Sequence, residues 1–372
     1  MIYLDNAATT YPKPKKVIKE CMRCIRDYCG NPGRSSHSLS MKTSEKIFEA
    51  RESVAELLGM PDKCENVVFT QNATYALNFA IKCSVTPRSH ILVSDVEHNS
   101  VIRPLNAMRK THAIDYSMFS SDDVEGSIEE LIRPETKYLI STLGSNVTGK
   151  EISLSVLSRI SKKYGLYLIV DSSQIIGHKR IDLEKTPCDV LCAPGHKALF
   201  GIQGSGFAFF RDYSKADVLI HGGSGNQSIS EEMPDNLPER FEAGTLPSPS
   251  IISLLEGIKF INNQTLEFVE NKISEISNLI YERLSSIKKV RIYAAENGII
   301  SFNLDGVSSH LVSEKLNSYR ICTRAGLHCA PSAHRKLGTL ESGTVRASLS
   351  CLNERADADR LYKAMKEISS EN

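Results

Sequence analysis

Between residues 65 and 210 the chain alternates short apolar runs with stretches of helical periodicity. The runs at 67–69, 91–93, 138–140, 167–170, 190–192 and 206–210 are rich in β-branched and aromatic side chains and predict buried strands. Apolar positions spaced three and four apart predict helices over 44–58, 73–81 and 154–164, and 15–28 also reads as a helix. Strand and helix in alternation predict an α/β fold whose mostly parallel sheet is covered on both faces. Ligands then belong at the carboxyl ends of its strands.

From 220 to 249 Gly, Ser, Pro and Asn take over, the composition of a functional loop or linker. Beyond it lie one long helical pattern over 251–287, strand-like runs at 290–293 and 298–304, and then a helix, a strand and a terminal helix ending near Ile368. That order predicts a smaller α+β unit. The expected division is an N-terminal segment, 1–20, packing with the small domain, a large domain, 21–248, and a small C-terminal domain, 249–372.

With 41% hydrophobic residues, 24% charged residues and a net charge of +1, the chain offers no electrostatic case for nucleic acid or a membrane surface. Small molecules and other proteins are the expected partners. There is neither a charged leader nor an apolar run of membrane-spanning length, so a cytoplasmic setting is expected. Ten cysteines scattered without paired spacing fit a reducing compartment in which thiols stay free. Cys21, Cys24 and Cys29 lie on or beside a predicted helix with no second pair or histidine partner, so no metal site is expected there. Cys188 and Cys192 flank a buried strand and read as core filling.

The candidate chemistry sits at strand ends. Asp171 closes the apolar run 167–170, and Lys197 follows 26 residues later in the run from Ala193 to Gly201. A carboxylate at a strand end can keep a pyridine nitrogen protonated while a downstream lysine forms a Schiff base, which points to pyridoxal phosphate. Taken alone, Asp171 reads more readily as the end of a buried strand, since apolar runs ending in Asp are common in parallel sheets. Asn72, Ala73 and Thr74 follow the first strand and open a helix, where free amides and the helix dipole suit a phosphate or a plain cap. His98 follows the strand 91–93 and is placed to lie against a flat ring, Gln174 is within reach of the same ring, and Asn146 follows the strand 138–140. Cys329 has His328 beside it and Arg324 nearby, cationic neighbours that favour a thiolate, although a buried structural cysteine fits the composition as well. Arg346 could clamp a carboxylate through a two-pronged pair.

Seven blocks in order resemble the cysteine desulfurase branch of the class V aminotransferases: those beginning at Tyr3, Glu97, Asn146, Val170, Gly195, Glu242 and Thr344. The block from Arg324 to Ala330 is similar to the short cysteine loop of the group II, SufS-like and selenocysteine-lyase-like enzymes. The resemblance implies a pyridoxal-phosphate-dependent transferase of fold type I, with the cofactor bound in the large domain and the cysteine loop in the small one. It implies that Lys197 holds the cofactor, Asp171 pairs with the pyridinium, Gln174 meets the phenolic oxygen and His98 stacks on the ring. Ala73, Thr74 and His196 would hold the phosphate, joined by Thr245 from the other subunit of a homodimer. Asn146 and Arg346 would bind substrate.

The implied reaction converts L-cysteine to L-alanine and leaves sulfur on Cys329 as a persulfide for an acceptor protein, as in iron-sulfur cluster assembly. The alternatives are a selenocysteine lyase acting on L-selenocysteine, or another lyase or aminotransferase on the same scaffold. Two positions depart from the family pattern. Pro194 stands where a serine is usual, removing a hydroxyl from the phosphate site, with either weaker cofactor binding or compensation by the Gly195 amide expected. Leu327 stands where a first histidine often precedes the His-Cys pair. Arg34 carries no assigned role.

Overall fold

The computed structural model describes residues 1–33, 35–227 and 229–371; Arg34 lies outside them. Seven strands form the large sheet in the spatial order Val67–Thr70, Gly206–Phe210, Val190–Pro194, Tyr167–Asp171, Thr136–Thr142, His90–Ser94 and Asp115–Phe119. Gly206–Phe210 runs antiparallel to both neighbours, and the other pairings are parallel. All six predicted strands are present. The seventh, Asp115–Phe119, is half-buried at the sheet edge and so lacks the continuous apolar run that marks the others.

Alternation along each strand sends side chains to two separate cores. Leu92, Leu139, Leu168, Leu191 and Phe209 face one, with residues of the helices Ser38–Leu57, Leu154–Tyr164 and Ser248–Gln264. Ile91, Ile140, Ile169, Val190 and Phe210 face the other, beneath the helices Ala73–Ser84 and Asn99–His112. Burial on both faces accounts for the unbroken apolar runs.

The long helical pattern over 251–287 is two helices, Ser248–Gln264 and Leu266–Ser285. Thr265 breaks it with a left-handed φ of +66°, and its side chain then caps the second helix by accepting from the Phe268 amide. The predicted helix 15–28 is α-helical over Lys15–Arg23 and continues as a π-helical turn, Cys24–Tyr28. Helix Ser248–Gln264 packs on Lys15–Arg23 and Ser38–Leu57.

A four-stranded antiparallel sheet follows in the order Arg324–Gly326, Thr344–Ser348, Ile299–Leu304 and Val290–Glu296. The N-terminus joins this part of the molecule. Ile2–Tyr3 pairs in parallel with Ile321–Cys322, and the Ser348 amide donates to Leu4 O at 2.7 Å. Among the described residues no helix is long and apolar enough to cross a membrane.

Candidate active site

The carboxyl ends of the parallel strands open into a cavity of about 250 Å³. Its walls include Ala73, Thr74, His98, Asn146, Asp171, Gln174, His196, Lys197, Arg324, His328 and Arg346. Ten of the predicted site residues are thus accounted for by one cavity and its rim. Cys329 is exposed at its mouth, next to His328. Thr245 is the exception within this chain. It lies on the wall of a neighbouring apolar cleft of about 440 Å³ that Thr74 and Tyr75 also line.

Each position follows from local structure. Asn72 caps the helix Ala73–Ser84 by accepting from the Tyr75 amide at 3.1 Å, which sets the first turn, Ala73 and Thr74, against the cavity. Gly206 makes this turn possible: a Cβ there would lie 2.7 Å from the backbone of Asn72. His98 is itself the cap of Asn99–His112, its Nδ1 accepting from the Ser100 amide at 3.1 Å. Nδ1 therefore carries no proton, and the neutral ring has its N–H on Nε2. Burial, and then the charge of Lys197, lower His98 to about 4, so the ring stays neutral at neutral pH.

Asp171 ends its strand 4% exposed, with Oδ1 accepting from the Ser173 amide at 2.9 Å. Lys197 follows the strand Val190–Pro194. Burial lowers its amine to about 8, with Asp171 opposing that shift and Arg346 adding to it. Roughly a tenth of the amine is uncharged at pH 7. The peptide that carries it is gripped from the N-terminal segment. Thr10 Oγ1 donates to Lys197 O at 2.8 Å, and Lys13 Nζ donates to His196 O at 2.8 Å. Burial lowers Lys13 to about 7 and His196 to about 4.

Opposite lies the guanidinium of Arg346, 1% exposed. Nη1 donates to Asn146 O at 2.9 Å, Nη2 pairs with Asp5 at 2.8 Å, and Nε has no partner. Beneath His98, the fully buried Glu97 accepts from the Thr142 amide and from Ser94 Oγ, both at 2.6 Å. Burial raises it to about 8. Arg324 Nη2 stands 3.9 Å from Cys329 Sγ.

The structure corrects one expectation about Pro194. The Gly195 amide donates to Ser205 O at 2.8 Å, so it is committed within the fold and cannot replace the missing serine hydroxyl. Asp5, Thr10, Lys13 and Glu97 were not singled out by the sequence. Asp5, Thr10 and Glu97 lie inside the blocks beginning at Tyr3 and Glu97, which was the nearest signal, whereas Lys13 falls outside them.

These residues match pyridoxal phosphate part by part. A helix N-terminus with Thr74 suits the phosphate, a buried carboxyl the pyridine nitrogen, a neutral imidazole the ring face and a lysine of lowered pKa the aldehyde. The family model for class V aminotransferases, "Aminotransferase class-V", matches residues 2–361, and the chain belongs to that family.

Among relatives, it is 29% identical over 382 residues to a probable cysteine desulfurase of Methanothermobacter thermautotrophicus, covering 99% of this chain and 94% of that one. It is 29% identical over 386 residues to the cysteine desulfurase of Haloferax volcanii, covering 98% and 88%. Among solved structures, the apo cysteine desulfurase of Thermococcus onnurineus superposes with a TM-score of 0.90 at 27% identity, covering 100% of this chain and 95% of that one. The Escherichia coli cysteine desulfurase CsdA gives 0.88 at 25%, covering 99% and 94%. This is the fold-type-I α/β architecture that the sequence predicts.

Proposed function

We propose that this protein is a pyridoxal-phosphate-dependent cysteine desulfurase that converts L-cysteine to L-alanine and takes the sulfur onto Cys329 as a persulfide. The observation that carries the reading is one cavity with Lys197 and Asp171 on its floor, Arg346 on its wall and Cys329 at its mouth beside Arg324. Relatives named as cysteine desulfurases along the whole chain support it.

In this reading Ala73, Thr74 and His196 hold the cofactor phosphate, Asp171 and Gln174 hold the ring, His98 covers it, and Lys197 binds it covalently. Bound pyridoxal phosphate supplies an electron sink for the pair released when a bond at the substrate Cα breaks. Arg346 and Asn146 orient the substrate through its carboxylate. Lys197, once free, moves the proton at Cα; an amine lowered to about 8 accepts and returns it near neutral pH. Cys329 Sγ attacks the substrate sulfur. The C–S bond breaks as the S–S bond forms, and the proton of the thiol is balanced by the one that alanine gains at carbon. No outside oxidant is consumed, and a thiol reductant or acceptor protein is needed only to remove the sulfur.

The same reading has a homodimer in which Thr245 of each subunit completes the phosphate site of the other, across the cleft that Thr74 and Tyr75 line. It keeps the division near residue 249, with helix Ser248–Gln264 as the joint, and a cytoplasmic setting that suits ten free cysteines.

The test is anaerobic incubation with L-cysteine, following alanine and sulfide with and without dithiothreitol, after the near-visible spectrum has been recorded. Alanine with reductant-dependent sulfide is expected from the wild type. Cys329→Ala should keep the cofactor band and lose both products. Turnover of L-cysteine by that variant would overturn the role of Cys329, and turnover of L-selenocysteine alone would move the reading to a selenocysteine lyase.

A further inference from the structure

The cysteine loop is held in a conformation that ordinary side chains avoid. His328 and Cys329 stand at φ +49° and +58°, two consecutive left-handed positions without a glycine. Such a backbone persists only where its surroundings fix it. Two hydrogen bonds do so. Asn146 Nδ2 donates to His328 O at 2.7 Å, and the Asn99 amide donates to Cys329 O at 2.8 Å.

Asn146 also touches the opposite side of the cavity, because its main-chain oxygen accepts from Arg346 Nη1 at 2.9 Å. The remaining edge of Arg346 is half satisfied, with Nη2 on Asp5 and Nε buried without a partner. A carboxylate arriving there meets the unpartnered Nε–H and can share Nη2 with Asp5, and hydrogen bonds from a guanidinium to a carboxylate are among the strong ones. It arrives beside an amide whose N–H group is engaged with the loop.

We propose that Asn146 is a positioning residue that couples the carboxylate subsite to the cysteine loop: it tethers the His328 carbonyl, and a carboxylate held by Arg346 draws that amide away and loosens Cys329. This deepens the desulfurase reading and rests on it for the meaning of the movement. The thiol is fixed while the site is empty and gains reach when a substrate is in place to give up sulfur. Once the amino acid leaves, the tether re-forms.

The test measures alkylation of Cys329 by iodoacetamide in the cofactor-loaded protein, read by mass spectrometry on the Cys329 peptide. Propionate serves as the probe, a carboxylate with neither amine nor thiol. Cys29, exposed and outside the cavity, is the reference in the same tube. In the wild type propionate should speed labelling of Cys329 about three- to tenfold, the factor that one hydrogen bond is worth. Asn146→Ala, and the near-isosteric Asn146→Asp that lacks the N–H donor, should label fast with or without propionate. Arg346→Lys should label slowly in both conditions, because the tether remains and the two-pronged carboxylate site is lost.

Unchanged labelling in both Asn146 variants overturns the proposal, and so does propionate that protects Cys329 in the wild type. If L-cysteine gives no alanine while these labelling shifts appear, the desulfurase reading fails and the coupling stands. If alanine forms and the shifts are absent, only the coupling fails.

Discussion

Arg51 meets Glu242 as a two-pronged pair, Nη1 to Oε1 at 2.9 Å and Nη2 to Oε2 at 2.8 Å, with both side chains under 8% exposed. Glu242 Oε1 also accepts from the Phe69 amide at 2.6 Å. This pair pins the segment that carries Thr245 to the strand that leads into the Ala73 helix. Removing one member leaves the other charge buried and alone, which costs about 3–5 kcal/mol. Arg51→Ala should therefore lower the urea midpoint by that amount of stability. If the subunits share their phosphate sites, it should also weaken dimerisation in analytical ultracentrifugation.

Glu97 gives a pH signature of its own. Its folded pKa of about 8 stands above the ordinary 4.5 because burial, and to a lesser degree Asp171, penalise the charge. Between those two values the folded chain binds more protons than the unfolded one. The stability Glu97 contributes is thus complete below pH 4.5 and is lost as the pH rises through 8. Buried histidines act in the opposite sense: His98, His178 and His196, all lowered to about 4, cost stability as the pH falls from 6.5 toward 4. Glu97→Gln keeps the acceptor for Thr142 and removes only the titration. The variant minus wild-type difference in unfolding free energy should rise from pH 5 and level off above pH 8, favouring the variant by at least about 1 kcal/mol. A flat difference in chemical denaturation series would exclude a buried neutral Glu97.

Asp5 is the counter-charge of Arg346, and burial lowers that guanidinium despite it. With Asp5→Ala, the guanidinium, 1% exposed in the wild type, loses its counter-charge. A loss of roughly 3 kcal/mol is expected, at the low end for buried pairs because Asp5 itself is partly in water. Propionate at high concentration should restore part of the melting temperature in the variant and raise it less in the wild type, where Asp5 already occupies one edge. Equal shifts in thermal melts would show that the ligand does not reach Arg346.

What the sequence made legible follows burial. Strands covered on both faces, such as Tyr167–Asp171, leave unbroken apolar runs and were readable, whereas the half-buried Asp115–Phe119 was not. The break at Thr265 was hidden because apolar spacing continues across it and the left-handed position holds threonine, not the glycine or asparagine that marks such a stop. In the site, Asp171, Lys197 and His98 announce themselves by following strands. Asp5 does not: its meaning depends on a guanidinium 341 residues away. Glu97 does not either, since an acid beside a loop histidine looks solvated until the fold encloses it. His98 shows the limit from the other side, because its helix-capping role and its place on the cavity wall coincide in one residue.

Gly206 is the position where backbone packing alone should decide cofactor binding. It opens the antiparallel strand, pairs with Thr70 and Pro194, and lies so close to Asn72 that an added Cβ would stand 2.7 Å from two backbone atoms of that residue. Neither side can yield cheaply, because Asn72 is the cap of the Ala73 helix and Gly206 is held in the sheet. With Gly206→Ala the cap must move, and with it the first turn, Ala73 and Thr74, which lines the cavity and in the proposed function holds the phosphate. The expected result is about a tenfold or greater loss of pyridoxal phosphate affinity, since misdirecting one charge-assisted hydrogen bond costs at least about 1.4 kcal/mol. The cofactor should dissociate faster on dialysis, while far-ultraviolet circular dichroism stays that of the wild type. Gly222→Ala is the control, because an added Cβ there meets only the Ala243 side chain at 3.5 Å, an ordinary contact, and its φ is not left-handed. If cofactor retention in Gly206→Ala equals the wild type, the phosphate is not held at this helix start.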